Sequence, residues 1–335
     1  MMMKLIHLAW LGRIGMAPLT MSVPVLGALT LGEPLMWGTL LGLMGLGLCA
    51  HLFGFALNDL IDQPLDRTLP ERRNHPLATG QLSQLEAWSF TLLQVPLAFG
   101  LYGLMQGTTT GFSVLCLSVG CSIVYNLWSK QGRIPRFLPE LALAASIGLL
   151  CLTGTWLTTT QIPLRSIVFA LTLTQALLLV NSVPSGLKDL KTDAASGARS
   201  FVLSTGNQML NDDHMFLSKK LWLYSAVLQT AILGCLVFLL VLFSPVWYMW
   251  GLVGALGVYG GLHLRLILTM RSFTALRRSM PLLNGYYNYA ALALLVVGPM
   301  PLALQVLYGL LVIALLINPW RLSYHLWRNR YQLLK

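Results

Sequence analysis

Apolar residues run through this chain in long blocks, with the polar residues collected between the blocks rather than alternating inside them. A block of about 18 or more apolar residues is long enough, at about 1.5 Å per residue, to cross the hydrocarbon of a membrane as a helix. The pattern predicts helices at 8–31, 35–62, 85–106, 109–128, 137–158, 163–186, 219–243, 246–270, 281–299 and 301–320. Only Gly298, Pro299, Met300 and Pro301 divide the last two. Proline there either turns the chain or kinks one longer helix, so the expected count is nine to ten. Spanning strands would show shorter segments of alternating polarity, and none is seen.

The expectation is therefore an all-α integral membrane protein, a single polytopic domain over 1–335. Its core covers about 8–300, and 301–320 is the additional C-terminal helix. The segments 63–84 and 187–218 are long, whereas the loops on the opposite face are only a few residues. Function tends to concentrate in long loops on one face.

Composition strengthens the membrane reading. Of 335 residues, 56% are hydrophobic and only 10% charged, where a soluble domain carries about 25% charged. Lipid has to cover much of the exterior. With the N-terminus in the cytoplasm, the cytoplasmic segments take every one of the 22 Lys and Arg except Arg165, counting Arg13 and Arg265 with their nearer loops. Such one-sidedness is what the positive-inside rule predicts. The net charge of +11 is then a property of one membrane face, suited to anionic lipid and, in part, to an anionic substrate. Nucleic acid is excluded as a partner, since no basic domain stands free of the membrane. The default membrane is a bacterial plasma membrane. Lys4 precedes an apolar run without a small-residue cleavage site, so the first helix is expected to be retained. Cys49, Cys116, Cys121, Cys151 and Cys235 lie in apolar stretches with no CxxC pair, and read as small buried hydrophobes. Nothing in the chain sets its oligomeric state.

Candidate chemistry sits at the ends of two helices. The second ends in Asn58-Asp59-Leu60-Ile61-Asp62-Gln63-Pro64-Leu65-Asp66-Arg67. Asp59, Asp62 and Asp66 fall at i, i+3 and i+7 and share a face, although Pro64 is expected to end the regular helix before Asp66. The sixth ends in Lys188-Asp189-Leu190-Lys191-Thr192-Asp193, with Asp189 and Asp193 at i, i+4. Carboxylates crowded at the mouth of an apolar helix need a cation or must protonate. Oxygen ligands without His or Cys suit Mg²⁺, which takes one or two carboxylates and completes its shell with water and substrate phosphates. Two such clusters facing one cavity would hold a diphosphate, its remaining charge met by Arg13, Lys130, Arg133, Lys188 and Arg199. The competing reading is that the acids only balance nearby Lys and Arg at helix ends; two clusters on the same face argue against it.

These residues resemble the UbiA superfamily of intramembrane prenyltransferases. Asn58, Asp59, Asp62 and Asp66 match its NDxxDxxxD motif, followed by Arg67 and by His75-Pro76-Leu77-Ala78-Thr79-Gly80, where the family has a segment like RPLASG. Asp189, Asp193, Gly197, Arg199 and Ser200 stand where the family has DxxxD and G-x-R-T, and Tyr125 and Lys130 match its Tyr and basic residue after helix four. The likeness covers roughly residues 10 to 300. His75 in place of Arg and Ser200 in place of Thr are departures. The resemblance implies nine helices around a central cavity capped by cytoplasmic loops. It also implies Mg²⁺ and diphosphate held by both aspartate clusters, with the isoprenoid tail in the apolar cavity. The partners expected are an isoprenyl diphosphate, a small-molecule acceptor and the bilayer.

Other residues carry weaker signals. Asn58 suits metal or diphosphate, or a plain helix-end contact. Asn181 reads as lining a cavity or hydrogen-bonding between helices, and is a candidate to orient an acceptor. Tyr125, Phe53 and Phe55 suit a carbocation by cation–π attraction, or packing. His51 and His263 read as interhelical donors, and Asp212-Asp213-His214 as the start signal of helix seven. Two rival functions remain in view: a membrane terpene cyclase using the same metal site, and a transporter or lipid-binding protein. The last would place acids near mid-bilayer on broken helices.

Overall fold

The computed structural model describes residues 2–67, 74–129, 134–243, 247–283 and 286–297. Among them, seven helices are long and apolar enough to cross a membrane: Trp37–Pro64, Gln84–Leu104, Thr109–Trp128, Phe137–Thr158, Leu164–Ser196, Lys219–Phe243 and Met249–Thr269. Ile14–Leu29 is a shorter apolar helix. The chain is a multi-pass membrane protein, and large apolar side chains such as Leu92, Leu97, Leu117, Val227 and Val241 stand exposed along its helices, as a lipid-facing surface requires. The expected helix 301–320 lies outside the described residues.

The first expected helix is broken. α1 runs Met2–Leu11 and α2 Ala17–Leu29, with a single 3₁₀ turn, Ile14–Met16, between them. The break falls at Arg13, whose backbone is left-handed (φ 45°, ψ 46°). A residue with a Cβ adopts that conformation at a cost of about 1–2 kcal/mol. The cost is offset because the turn lets the Arg13 side chain reach Asp59, a tertiary contact that apolar periodicity does not encode.

α3 (Trp37–Asp66) runs through Pro64 instead of ending at it. Proline removes one backbone hydrogen bond, but the helix has only two more residues to go, and Arg67 N still bonds Gln63 O at 3.1 Å. α4 (Gln84–Leu104) opens on a capping box formed by Ser83 and Glu86. α5 (Thr109–Trp128) is capped by the Thr108 hydroxyl accepting from Gly111 N at 3.1 Å. α6 (Phe137–Thr158) returns beside α5 and also packs on α2. α2 and α6 cross with backbones in contact: a Cβ on Gly27 would lie 1.9 Å from Cys151 O, and one on Gly154 would lie 1.8 Å from Pro24 O. Thr155 Oγ1 donates to Gly27 O at 2.8 Å at the same crossing, the small-residue and hydroxyl packing expected between helices in lipid.

The sixth expected helix does not stop at 186. α7 (Leu164–Val180) passes into a π-helical turn, Asn181–Ser185, and continues as α8 (Gly186–Ser196). Pro184 has no N–H to donate within that turn, so the chain widens rather than breaking. The expected cytoplasmic loop is thus partly helix. A short α9 (Phe201–Ser204) follows, then a two-stranded ladder of β1 (Gln208–Met209) with β2 (Met215–Phe216). α10 (Lys219–Phe243) packs on α7 and on α11 (Trp247–Thr269).

Asp213 starts a helix, but not the next one in sequence. Its Oδ1 accepts from Thr274 N and its Oδ2 from Ser272 Oγ, both at 2.7 Å, at the head of α12 (Phe273–Leu283). Those bonds hold its carboxyl down at about 2, below the usual Asp value. α12 buries Phe273 and Leu276 and exposes Arg277 and Arg278, the two-faced pattern of an interfacial helix. α13 (Tyr286–Val297) then begins five residues later than the expected 281–299. The exceptional Arg165 donates to Leu31 O just beyond α2, where a cation meets the negative end of a helix.

Candidate active site

α3 carries the first aspartates into the bundle: Asp59, Asp62 and Asp66 are 1%, 7% and 7% exposed. Asp59 has both oxygens engaged. Arg13 donates to Oδ1 at 2.5 Å, and His75 Nε2 lies 3.1 Å from Oδ2. Arg13 also sits over the Phe55 ring, 5.0 Å from its centroid, and His51 bonds Arg13 O (3.2 Å) and Thr20 Oγ1 (3.0 Å). His51 thus acts as an interhelical link and supports the break between α1 and α2.

His75 belongs to the turn 74–83, which folds back over the end of α3. Thr79 N bonds His75 O (3.0 Å), and Leu82 N bonds Pro76 O (3.2 Å). Leu77 and Leu82 bury against Leu11, Ala56, Leu60 and Ala87 in a small second core. Gln63 ties the turn down by donating to Leu77 O (3.3 Å) and accepting from Gln84 (2.7 Å). The sequence pattern flagged His75 as a departure at a motif position and gave it no role; folding makes it a partner of Asp59.

The second cluster lies on α8. Asp193 is buried with Leu187 and Leu190, while the Asp189 side chain remains 54% accessible beside Lys188, at 3.8 Å. The two clusters come within reach of one residue, Tyr125 on α5. Tyr125 interacts electrostatically with Asp62 of α3 and Asp189 of α8, and Arg13 with Asp59, Asp66 and Tyr125. Asp193 acts in turn on Glu140 of α6. Charges from both clusters thus act on one side chain, Tyr125.

Glu140, Tyr224 and Ser182 are linked to these residues and had not been singled out from the sequence. Asn181 donates to Glu140 Oε2, and Tyr224 OH bonds Ser182 Oγ at 3.1 Å. Tyr125, Glu140, Asn181 and Tyr224 all keep accessible surface. An acid in the first turn of a membrane helix is the signal that would have found Glu140. Asn58 is half-buried, and Arg67 and Arg199 are exposed. Arg136 lies within range of Arg199, and its guanidinium is pushed down by burial and then by that like charge. Lys130 and Arg133 lie outside the described residues.

The donor set suits a hard divalent cation. Among the described residues no three His, Cys, Asp or Glu side chains enclose a metal unaided. Carboxylates split between two helices instead match Mg²⁺, whose shell is largely water and phosphate oxygen.

Comparison with known proteins matches residues 19–280 to the family model described as the UbiA prenyltransferase family. The mitochondrial 4-hydroxybenzoate polyprenyltransferase of Drosophila pseudoobscura pseudoobscura is 34% identical over 105 residues, 31% of this chain. The chain spans only 26% of that relative's length. In fold, the apo structure of a UbiA homolog from Aeropyrum pernix K1 superposes with TM-score 0.64 at 16% identity, covering 89% of this chain and 97% of that one. A UbiA homolog from Archaeoglobus fulgidus bound to GPP and Mg²⁺ gives 0.56 at 13% identity, covering 94% and 98%.

Proposed function

Because the chain belongs to the UbiA prenyltransferase family, we propose that it transfers the prenyl group of an allylic isoprenyl diphosphate to an aromatic or other electron-rich acceptor, releasing diphosphate. The observation that supports this reading is Tyr125 of α5, on which the charges of both Asp62 of α3 and Asp189 of α8 act. Aspartates alone would repel a diphosphate, so a cation belongs between them. Asp62, Asp66, Asp189 and Asp193 would hold Mg²⁺, and Asp59 would join them by exchanging one of its hydrogen bonds. When bound, Mg²⁺ neutralises the leaving group as a Lewis acid and templates it.

The chain's own residues do the rest. Arg13, Lys188 and Arg199, with Lys130 and Arg133 from outside the described residues, bind the diphosphate oxygens. Arg67 and Asn58 add donors at the mouth. As the C–O bond of the allylic carbon breaks, its electron pair leaves with the diphosphate and the allylic cation faces Tyr125. The apolar walls and the turn 74–83 keep water from that cation until the acceptor attacks it, forming the new bond and then losing a proton. The N-terminus and the site face the cytoplasm, on the side carrying the basic residues. Polar groups at Glu140 and Asn181 beside the aspartates favour an acceptor over internal cyclisation, and the gathering of acids at one face disfavours transport.

Purified protein incubated with Mg²⁺, C10 to C20 prenyl diphosphates and an acceptor panel should give prenylated adducts by mass spectrometry, with Mg²⁺-dependent release of diphosphate. No release from any of these diphosphates would sink the proposal; release with only cyclised hydrocarbon would shift it to the cyclase.

A further inference from the structure

Resting on that reading, we propose that His75 is a positioning residue for the metal site. Its bond to Asp59 competes with the divalent cation for a carboxylate oxygen, which keeps the cation loosely held and able to leave with the diphosphate.

His75 Nε2 lies 3.1 Å from Asp59 Oδ2, and the two side chains are 6% and 1% accessible. An ionised carboxylate has no hydrogen to give, so Nε2 donates and Oδ2 accepts. Arg13 occupies Oδ1. At 1% exposure Asp59 leaves no open approach for an ion while both donors are in place. A cation therefore reaches this carboxylate only by displacing one of them. Asp59 lies one turn before Asp62 on α3, on the face proposed for the metal, so that exchange brings it into the same shell.

Between Arg13 and His75, His75 is the partner that a cation displaces. Arg13 meets Oδ1 with a full charge at 2.5 Å, and bonds between two ions are the stronger kind. Its guanidinium is also held over Phe55, 5.0 Å from the centroid, and its carbonyl is bonded by His51 at 3.2 Å. The imidazole yields more easily, yet it cannot go far. His75 O accepts from Ala78 N at 2.9 Å and from Thr79 N at 3.0 Å. The Trp10 ring stands edge-on to it, centroids 6.0 Å apart, and Leu77 of the same turn is buried in the small second core. A donor tethered beside the oxygen is present at high local concentration and returns whenever the cation goes. The hold on the cation is weakened by the worth of that bond, so Mg²⁺ departs with the diphosphate it neutralised.

Metal binding tests this without turnover. The full chain in detergent, free of prenyl diphosphate, is titrated with Mn²⁺ with and without inorganic diphosphate, and the spin-resonance signal of the free ion is followed. His75→Leu removes the donor and keeps an apolar body in the turn. It should bind Mn²⁺ about tenfold more tightly than wild type, the worth of one hydrogen bond to a charged group. His75→Gln places an amide donor near the position of Nε2 and should stay within about threefold of wild type. In an Asp59→Asn background, His75→Leu should leave the affinity within about threefold, since the contested charge is gone; a turn that merely loosened the site would shift it in both backgrounds. Unchanged or weaker Mn²⁺ binding in His75→Leu overturns the proposal, and weakening of about 10- to 100-fold is what a partner that only orients a ligand would give. Should His75→Leu not be recovered folded, nitrogen NMR of wild type decides. The His75 Nε2 signal, assigned by its loss in His75→Gln, should move as Mg²⁺ and inorganic diphosphate are added, and a stationary signal overturns the proposal. No Mn²⁺ binding by any form in either condition overturns the metal reading too, whereas binding indifferent to His75 overturns only this role.

Discussion

Arg13 shows how much a single side chain can rearrange. It accepts a left-handed backbone, splits an apolar stretch into two helices and neutralises an aspartate that is 1% exposed. Removing one partner of a buried ion pair leaves the other charge uncompensated, at a cost of about 3–5 kcal/mol. Arg13→Ala should therefore lower the thermal midpoint of the detergent-purified protein as well as its turnover. Arg13→Ala combined with Asp59→Asn should recover much of the midpoint and little of the turnover; a double variant as unstable as Arg13→Ala would mean the pair does not set the stability. Asp62 and Asp193 differ in kind, because their proposed work is on the metal-bound leaving group. Alanine at either is expected to cut turnover by about 10²-fold or more while the protein remains folded and extractable. Near-normal rates in both would remove the aspartates from the mechanism.

Among the elements, the hairpin 208–216 and α12 form a unit that neither could form alone. A two-residue ladder is too short to stand by itself. It is joined to the head of α12 by Asp213, and Met215 N bonds Arg271 O at 2.8 Å. Asp213 has its carboxyl lowered to about 2 from 3.8. A depressed carboxylate contributes stability that is complete above its unfolded value and lost as pH falls through the folded one. Hydrogen-exchange protection of 208–216 and 273–278 should thus weaken between about pH 4 and 2. Asp213→Asn should show weaker protection already at neutral pH and no such acid step. An acid step of equal size in the variant would assign it to another group.

At the scale of the molecule, every apolar helix has to agree with one orientation in the bilayer. Charge asymmetry puts 67–83, 129–136, 197–218 and 270–272 on one face, and 30–36, 105–108 and 159–163 on the other. In a background without the five native cysteines, Cys at Gly80 or Ser196 should be labelled by an impermeant reagent only from the cytoplasmic side. Cys at Gln161 should be labelled only from the opposite side. The reverse result would invert the proposed orientation. Arg165 does not disturb the assignment, since one of its guanidinium nitrogens donates to the carbonyl of Leu31.

Apolar block length, the one-sided basic residues and the spacing of Asp59, Asp62, Asp66, Asp189 and Asp193 are local properties. The chain determines them by itself, because a membrane demands continuous apolar helices and a helix repeats its face every three to four residues. The seven long helices and the two aspartate-bearing helix ends were legible for that reason. The break at Arg13 was not: an ion pair with a residue on another helix outweighs the local preference for continuing the helix. Nor was the helix through Pro64, nor the π-helical turn at Asn181, since each depends on what the displaced backbone packs against. Asp213 caps a helix 60 residues away, and His75 and Glu140 acquire partners only when α3, α6 and α7 are brought together. Tertiary structure alone decided which polar groups face one another, because pairing across the bundle depends on distances that no spacing along the chain records.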